Sequence, residues 1–293
     1  MSTPIFVHVP KTAGSSIRTL ITANYSPDQL LNLYGSFPEI FSACRERIGK
    51  LAGIKLVQGH TPYGTHYYLG ARAPSYFCFL REPVARTLSD IIYAQRSPGH
   101  GFHRVFADPD LTLGQRIEQA QKILYYRNNM THFVSGNFYL SEITSAEYGR
   151  AVDNLWHSAF VGVTEQFEES LLIMARRLGW RQVVPQVSNV TPKTEHPAPT
   201  QEDLALCRSF LRFDLSLYAV ALDIFRRDCL GYGDLLVEAA QQMREILADQ
   251  LRQNPDLSHK DYQVGMQLKA GDHAIPPGSP LARWLADAAA DPS

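Results

Sequence analysis

Residues 8–16, with the sequence HVPKTAGSS, have the composition of a loop that binds an anion. The segment follows an apolar run at 5–9 and precedes a helical pattern that begins near Ser15. Backbone N–H groups at a helix N-terminus lack internal partners, and together with the helix dipole they favour phosphate or sulfate. Gly14 permits close approach of a ligand, and Lys11 adds a mobile positive charge. The alternative is an ordinary strand–helix turn with a serine cap.

This loop differs from a Walker A sequence, in which Lys directly follows the last Gly. Here Lys11 precedes Gly14 by three residues. No acidic residue at a predicted strand end is obviously placed to hold magnesium, so we expect a phosphate-like group to be handled without a metal. A P-loop kinase that uses ATP and magnesium remains the alternative enzyme.

A second segment, residues 79–89 (FLREPVARTLS), also fits phosphate binding. Arg81 ends a predicted strand, and a helix begins at Pro83, a residue favoured in the first turn. A guanidinium group grips phosphate through a fork of charge-assisted hydrogen bonds. Ser89 lies eight residues after Arg81, about two turns into the helix. Taken alone, Arg81 is also compatible with helix capping or a salt bridge.

His60 follows another predicted strand and is a candidate general base. A neutral imidazole accepts a hydroxyl proton near neutral pH. The alternative is a hydrogen-bonded structural histidine at a strand end. His66 is a second candidate, whereas we expect His8, within the first strand, to be structural. His100 and His103 lie three apart without an evident third ligand, so no metal site is expected there.

The predicted elements alternate between strands and helices. Strands are expected at residues 5–9, 54–57, 76–80 and 159–163, and helices at 111–134, 201–227, 234–252 and 281–288, after Ser15, Pro83 and Thr164. This order indicates an α/β fold with a three-layer arrangement, in which helices flank a parallel sheet. We expect a first domain over 1–230 and a C-terminal extension of helix and tail over 231–293.

Residues 10–16 (PKTAGSS) and 81–89 together resemble two loops of the PAPS-dependent sulfotransferases, nearest the heparan sulfate 2-O-/6-O-sulfotransferase-like branch and its bacterial relatives. The resemblance covers residues 4 to about 228. It implies a P-loop NTPase-like sulfotransferase fold, with 3′-phosphoadenosine-5′-phosphosulfate (PAPS) as the donor and PAP as the product. The donor contacts that it implies are Lys11, Thr12, Ala13, Gly14, Ser15 and Ser16 for the phosphosulfate, Arg81 and Ser89 for the 3′-phosphate, and Asn189 and Lys193 from a covering loop.

The same resemblance implies that His60 is the base and that Lys11 neutralises charge on the leaving group. A second histidine of the 2-O-sulfating members would fall at Pro62, so the chain departs from that subgroup. Three further segments are similar to the family: residues 127–133, residues 160–165, and the D-x-x-L-Y pattern of Asp214 and Tyr218. We expect the first to shape the cleft or to pack, and the other two to be structural.

The composition limits the classes of partner that we expect for this chain. The net charge is −1, with 28 basic and 29 acidic residues, so no general attraction to nucleic acid is expected. The chain shows no signal-peptide pattern and no apolar run of about 18 residues. Its four dispersed cysteines suit a reduced, cytoplasmic protein. The acceptor is expected to carry a hydroxyl, as a carbohydrate or small metabolite, and the tail is a candidate homo-oligomer contact. A non-catalytic module that binds PAP or a sulfated ligand remains an alternative.

Overall fold

The computed structural model of the chain describes residues 2–139, 141–183, 198–253 and 275–290. The predicted covering loop with Asn189 and Lys193 lies outside these described residues, as do residues 254–274 and 291–293 of the tail predicted from Asn254 onward. Those predictions therefore stay predictions.

Five short strands form one parallel sheet. They are β1 (Thr3–Val7), β2 (Leu30–Leu33), β3 (Leu56–Gly59), β4 (Pro74–Leu80) and β5 (Phe160–Val163). Their order across the sheet is β2-β3-β1-β4-β5, and every neighbouring pair is parallel. In the central strand, Ile5 lies opposite Val57 of β3 and Tyr76 of β4.

The order of the strands places a switch point at the carboxyl end of β1. The chain continues from β1 to β2 and β3 on one side of the sheet, and then crosses to β4 on the other side. In open parallel sheets, ligands bind at the crevice that opens where the strand order reverses. The segments that follow β1, β3 and β4 meet at this edge.

Helices cover both faces of the sheet. They are α1 (Gly14–Asn24), α2 (Phe37–Glu46), α3 (Thr65–Leu69), α4 (Pro83–Arg96), α5 (His103–Phe106), α6 (Leu113–Gln121), α7 (Asn129–Ser135), α8 (Ser145–Trp156), α9 (Phe167–Leu178), α10 (Gln201–Ser209), α11 (Arg212–Leu230), α12 (Asp234–Gln253) and α13 (Pro280–Ala290). Single 3₁₀ turns occupy residues 27–29, 124–126 and 164–166.

Alternate residues of β1 enter two apolar layers, as the two-residue period of a strand requires. Phe6 packs in a cluster that α1, α9, α12 and α13 share. Ile5 and Val7 pack in a cluster formed with α2, α7, α8 and α11. A third cluster joins α4, α5, α6 and α10. The α/β class and the helix-covered parallel sheet are thus confirmed.

The segment beyond residue 230 shares the core of the first part of the chain. Leu236 and Met243 of α12 and Trp284 of α13 are buried in the same cluster as Phe6. Among the described residues, no helix combines the length and the apolar character needed to cross a membrane.

Two long predicted helices are broken in the structure. Residues 111–134 form α6, a 3₁₀ turn and α7, and Asn128 before α7 has a left-handed backbone with φ 53°. Residues 201–227 divide into α10 and α11 around Phe210 and Leu211. Each pair of helices is predicted as one because apolar residues at the break, such as Tyr126 and Leu211, are also buried and continue the helical period. Strand β2 and helices α2 and α8 are absent from the sequence prediction.

Candidate active site

The loop between β1 and α1 directs a row of free amides outward. Lys11 and Ala13 have left-handed backbones, with φ 69° and 65°. No carbonyl group in the described ranges accepts a hydrogen bond from the amides of residues 11–16. The Thr12 hydroxyl is buried and donates to the carbonyl oxygen of Val9 at 2.8 Å, which fixes the turn. Consecutive free amides at a helix N-terminus form an anion-binding concavity.

Gly14 is required here for space. A Cβ atom at this position would lie 1.7 Å from Nε2 of His8, well inside van der Waals contact. The imidazole of His8 therefore packs directly beneath the start of α1. This contact also places His8 in the site, although its position within the first strand predicts a structural role.

Two guanidinium groups hold the carbonyl side of the same loop. Arg81, after β4, donates from Nη1 to the carbonyl oxygen of Lys11 at 3.2 Å. Arg86, one turn into α4 and fully buried, donates to the carbonyl oxygen of Pro10 at 3.5 Å. The two loops predicted from the sequence are therefore adjacent. Arg86 was missed because an arginine inside an amphipathic helix carries no signal of its burial.

Helix α4 also brings Ser89 to this side. The ammonium group of Lys11 lies 4.1 Å from the ring centroid of Tyr93. Ser89 precedes Tyr93 by one helical turn, and residues four apart share a helix face. Ser89 therefore lies on the face of α4 that is turned toward Lys11, although no hydrogen bond joins Ser89 to Arg81 within the described residues.

Burial perturbs the ammonium group of Lys11. Desolvation lowers the pKa of Lys11 to about 8, with the carboxylate of Asp90 acting in the opposite direction and Arg81 adding to the decrease. Lys11 therefore changes charge just above neutral pH.

His60 has a defined tautomer. Its Nδ1 atom lies 2.8 Å from the backbone carbonyl oxygen of His8, and a carbonyl oxygen can only accept. Nδ1 therefore carries the proton, and the lone pair is on Nε2. Burial lowers the pKa of His60, while the hydrogen bond to His8 and the charge of Asp90 raise it less. A neutral imidazole with a free lone pair is the form that a general base requires.

A chain of hydrogen bonds supports the two imidazoles and ends at the exposed residue Asn32. Their ring centroids are 4.4 Å apart, and Nδ1 of His8 lies 3.0 Å from the hydroxyl oxygen of Tyr34. Tyr34 donates to Gln58 at 3.5 Å, and Gln58 donates to Asn32 at 2.7 Å. Burial lowers the pKa of His8 well below its usual value, and the charge of neighbouring His60 lowers it further. Tyr34 and Asn32 come from β2 and the residue after it, so the missing strand prediction concealed them.

The three other histidines considered in the sequence, His66, His100 and His103, are engaged elsewhere. Nδ1 of His66 lies 2.7 Å from the hydroxyl of Tyr76. His103 contacts the carbonyl oxygen of Ala94 at 2.9 Å. Nδ1 of His100 accepts from the amide of Phe102 at 3.2 Å, so its Nε2 carries the proton and faces Asp90 at 3.7 Å. His100 consequently has no free lone pair. The described part of the chain contains no group of three or more side chains arranged to hold a metal ion.

Two of the remaining family-like segments cap each other. The carboxylate of Asp214, at the start of α11, accepts from the amides of Met130 and Thr131 at 3.1 and 2.8 Å, and from the Thr131 hydroxyl at 2.7 Å. In return, Oδ1 of Asn128 accepts from the amides of Phe213 and Asp214. Asp214 thus caps α7, and Asn128, which precedes α7, caps α11. These two caps explain why each predicted helix is broken.

The segment after β5 joins the end of that strand to the end of β4 and to α11. Glu165 accepts from the amide of Glu82 at 2.9 Å and from the hydroxyl of Tyr218 at 2.5 Å. The hydroxyl of Thr164 donates to the carbonyl oxygen of Leu80 at 3.0 Å. These contacts hold the start of α4, and with it Arg81, against the sheet.

The described candidate residues converge on the carboxyl ends of three neighbouring strands: β1 carries the loop with Lys11, β3 carries His60 and β4 carries Arg81. The arrangement offers an anion cradle, two cations and a neutral imidazole base at one edge of the sheet. A scan against models of known protein families finds no match to the chain, and a search of curated proteins finds none either.

Proposed function

We propose that the chain is a PAPS-dependent sulfotransferase that transfers a sulfuryl group to an acceptor hydroxyl, and that its sheet has the P-loop NTPase-like sulfotransferase fold. The observation that carries the proposal is the hydrogen bond from Arg81 to the carbonyl oxygen of Lys11 at 3.2 Å. It joins the two loops that resemble the family's phosphosulfate and 3′-phosphate sites. The two loops are 70 residues apart in the chain, and they meet because β1 and β4 are neighbouring parallel strands.

The residues fit such a donor. The free amides of residues 11–16, with the hydroxyls of Ser15 and Ser16, suit the 5′-phosphosulfate, and Arg81 with Ser89 suits the 3′-phosphate. PAPS supplies a sulfuryl group whose sulfur bonds to the acceptor oxygen as the S–O bond to the phosphate breaks. Asn189 and Lys193 remain predicted donor contacts by resemblance.

His60 would take the acceptor proton on Nε2, because its Nδ1 proton is committed to the carbonyl oxygen of His8. The electron pair of the breaking S–O bond leaves with the phosphate of PAP, where Lys11 would neutralise the growing charge. Positioned charges of this kind act without reorganisation during the reaction and supply most of the acceleration in group transfer.

Thermal unfolding tests the donor directly. We expect PAP at about 100 times its dissociation constant to stabilise the protein by roughly 2.7 kcal/mol. 5′-AMP, which lacks the 3′-phosphate, should stabilise it far less at the same concentration. A shift with ADP and magnesium that exceeds the PAP shift would favour the kinase alternative instead.

A pair of variants at residues on either side of β4 provides the control. Arg81→Gln should abolish the preference for PAP over 5′-AMP, since it removes the proposed 3′-phosphate contact. Arg72→Gln, an exposed arginine that precedes the opposite end of β4, should retain the preference. If PAP binds and no acceptor in a broad panel is sulfated, the non-catalytic binding alternative is the better description.

A further inference from the structure

The side chain of Lys11 is held at both of its ends. At the backbone, a left-handed conformation with φ 69° and the hydrogen bond from Arg81 to the carbonyl oxygen fix where the side chain starts. At the tip, the ammonium nitrogen lies 4.1 Å from the ring centroid of Tyr93 on α4. The side chain therefore crosses from the loop after β1 to the helix that begins just after Arg81.

The ring of Tyr93 is itself fixed by its neighbours. It packs edge-on against the imidazole of His100, with ring centroids 5.6 Å apart and ring planes at 87°. His100 in turn faces the carboxylate of Asp90 at 3.7 Å and packs near the ring of Phe102. Lys11 and Tyr93 are both partly exposed, so their contact is open to solvent.

Most of the charges around Lys11 have its own sign. Burial is the largest cause of its lowered pKa, and three guanidinium groups lower the pKa further, those of Arg81, Arg96 and Arg86. Asp90 acts in the opposite direction, but its carboxylate already lies 3.9 Å from the guanidinium of Arg86. In the described part of the chain, no carboxylate forms an ion pair with Lys11.

Tyr93 supplies the attraction that a carboxylate would otherwise provide, because the negative face of an aromatic ring attracts a cation, most strongly where water is partly excluded. We propose that Tyr93 is a positioning residue for Lys11, and that its ring holds the ammonium group against α4, ready for a phosphate of the donor. This inference rests on the proposed function. A side chain that is ordered before binding loses less entropy when the donor binds, and an ordered charge stabilises the leaving group without reorganisation.

The effect of the ring on Lys11 is measured without any ligand. In the full chain labelled with ¹³C-lysine, the Cε signal of Lys11, assigned by its absence from Lys11→Arg, reports the titration of the ammonium group. Tyr93→Phe keeps an aromatic face, whereas Tyr93→Leu is equally apolar and has none. Cation–π attraction stabilises only the charged form, so we expect the titration midpoint to lie about 0.5–1 pH unit lower in Tyr93→Leu than in Tyr93→Phe.

The other charged or titratable groups around Lys11 are the same in both variants. They come from the end of β1, the end of β4, helix α4 and the loop after it, and they are His8, Arg81, Arg86, Asp90, Arg96 and His100. The pKa values of His8 and His100 are lowered by burial, so neither imidazole titrates between pH 7 and 9. Both variants also lack the phenol. A difference between them therefore reports the ring face.

PAP affinity at pH 7 shows whether the contact serves the donor. Calorimetry should give Tyr93→Leu an affinity about three- to tenfold lower than that of Tyr93→Phe, because a freed lysine must be ordered on binding. When both variants also carry Lys11→Met, the two affinities should agree within about twofold, since no ammonium group remains to be held. Tyr67→Leu, at a tyrosine of α3 that is 79% exposed, should bind PAP like wild type.

Equal titration midpoints in the folded phenylalanine and leucine variants, equal PAP affinities, or an affinity difference that persists with Lys11→Met would each overturn the inference. Circular dichroism establishes that each variant is folded, and Tyr93→Met replaces Tyr93→Leu if the leucine variant is not. If Lys11→Met abolishes measurable binding, the midpoints and the first pair of affinities decide. A PAP thermal shift in wild type leaves the proposed function standing whatever these results are, and its absence overturns that function.

Discussion

At the scale of single residues, the site depends on side chains whose ionisation is set by burial. His60 is held neutral with its proton on Nδ1, and Lys11 is shifted so that it titrates near pH 8. Both shifts come chiefly from desolvation, which disfavours the charged form of each base. Reactive groups tuned in this way are typical of active sites, and here they flank one loop of free amides.

The lowered pKa of Lys11 predicts how PAP binding depends on pH. Because the folded pKa of about 8 is below the usual value, Lys11 loses its positive charge as pH rises from 7 to 9. At pH 9 about a tenth of the protein keeps a charged Lys11, so PAP affinity should fall by up to about tenfold. Calorimetry across this range measures the fall.

Lys11→Arg supplies the control, because a guanidinium keeps its charge throughout this range. The variant should show a much flatter dependence on pH than wild type, and any titration of the PAP phosphates affects both proteins alike. Parallel pH profiles for the two proteins would contradict a role for Lys11 in binding the donor.

At the scale of elements, two helix N-termini stabilise each other. An amide in the first turn of α7 donates to the carboxylate of Asp214, and an amide in the first turn of α11 donates to the side-chain oxygen of Asn128. The amides of a helix start are otherwise unpaired, so each side chain satisfies donors of the other helix. This exchange holds α11 against α7 beneath the sheet and fixes the point at which each helix begins.

Asp214→Ala should destabilise the fold strongly. It leaves three buried donors, namely the amides of Met130 and Thr131 and the Thr131 hydroxyl, without an acceptor. We expect a loss of about 2–4 kcal/mol in the free energy of unfolding, measured by urea denaturation. Asp223→Ala, in an exposed pair on the same helix, should cost under about 0.5 kcal/mol. Similar costs for the two variants would show that the reciprocal caps contribute little.

At the scale of the whole molecule, α12 and α13 belong to the core that covers one face of the sheet. Trp284 is 1% exposed, donates to the carbonyl oxygen of Leu172 at 3.3 Å and packs with Tyr232. The guanidinium of Arg176 lies 5.1 Å from its ring centroid. The C-terminal helices thus complete the layer that α1 and α9 begin.

Trp284→Ala should therefore reduce the stability of the whole chain by about 3–5 kcal/mol, since it opens a large cavity in a shared cluster. Urea unfolding followed by both circular dichroism and tryptophan fluorescence should still give one transition. Asp287→Ala, on the exposed side of α13, should leave the midpoint nearly unchanged. A separate early transition in Trp284→Ala would instead assign α12 and α13 to an independent unit, in agreement with a domain boundary at 230.

Local sequence was sufficient for the features that depend on neighbouring residues. The strand–loop–helix character of residues 5–24 and the strand end at Arg81 follow from apolar period, glycine and proline placement, and residue chemistry. These features indicated Lys11 and Gly14 as parts of an anion-binding loop, whereas the roles predicted for Arg81, Ser89 and His60 came from the resemblance to the sulfotransferase loops. Polar residues in short strands, such as exposed Asn32 and buried Gln58, gave no comparable signal.

Tertiary structure decided which of these segments meet. The order β2-β3-β1-β4-β5 brings the ends of β1, β3 and β4 together, and it places Tyr34 and His8 behind His60. It also buries Arg86 and Asp90 on a helix whose apolar stripe looks ordinary. Strand order depends on crossovers and on the packing of distant helices, whereas periodicity reports only whether a residue faces the core. The chemical types of the site residues were therefore readable from the chain, but their convergence required the folded sheet.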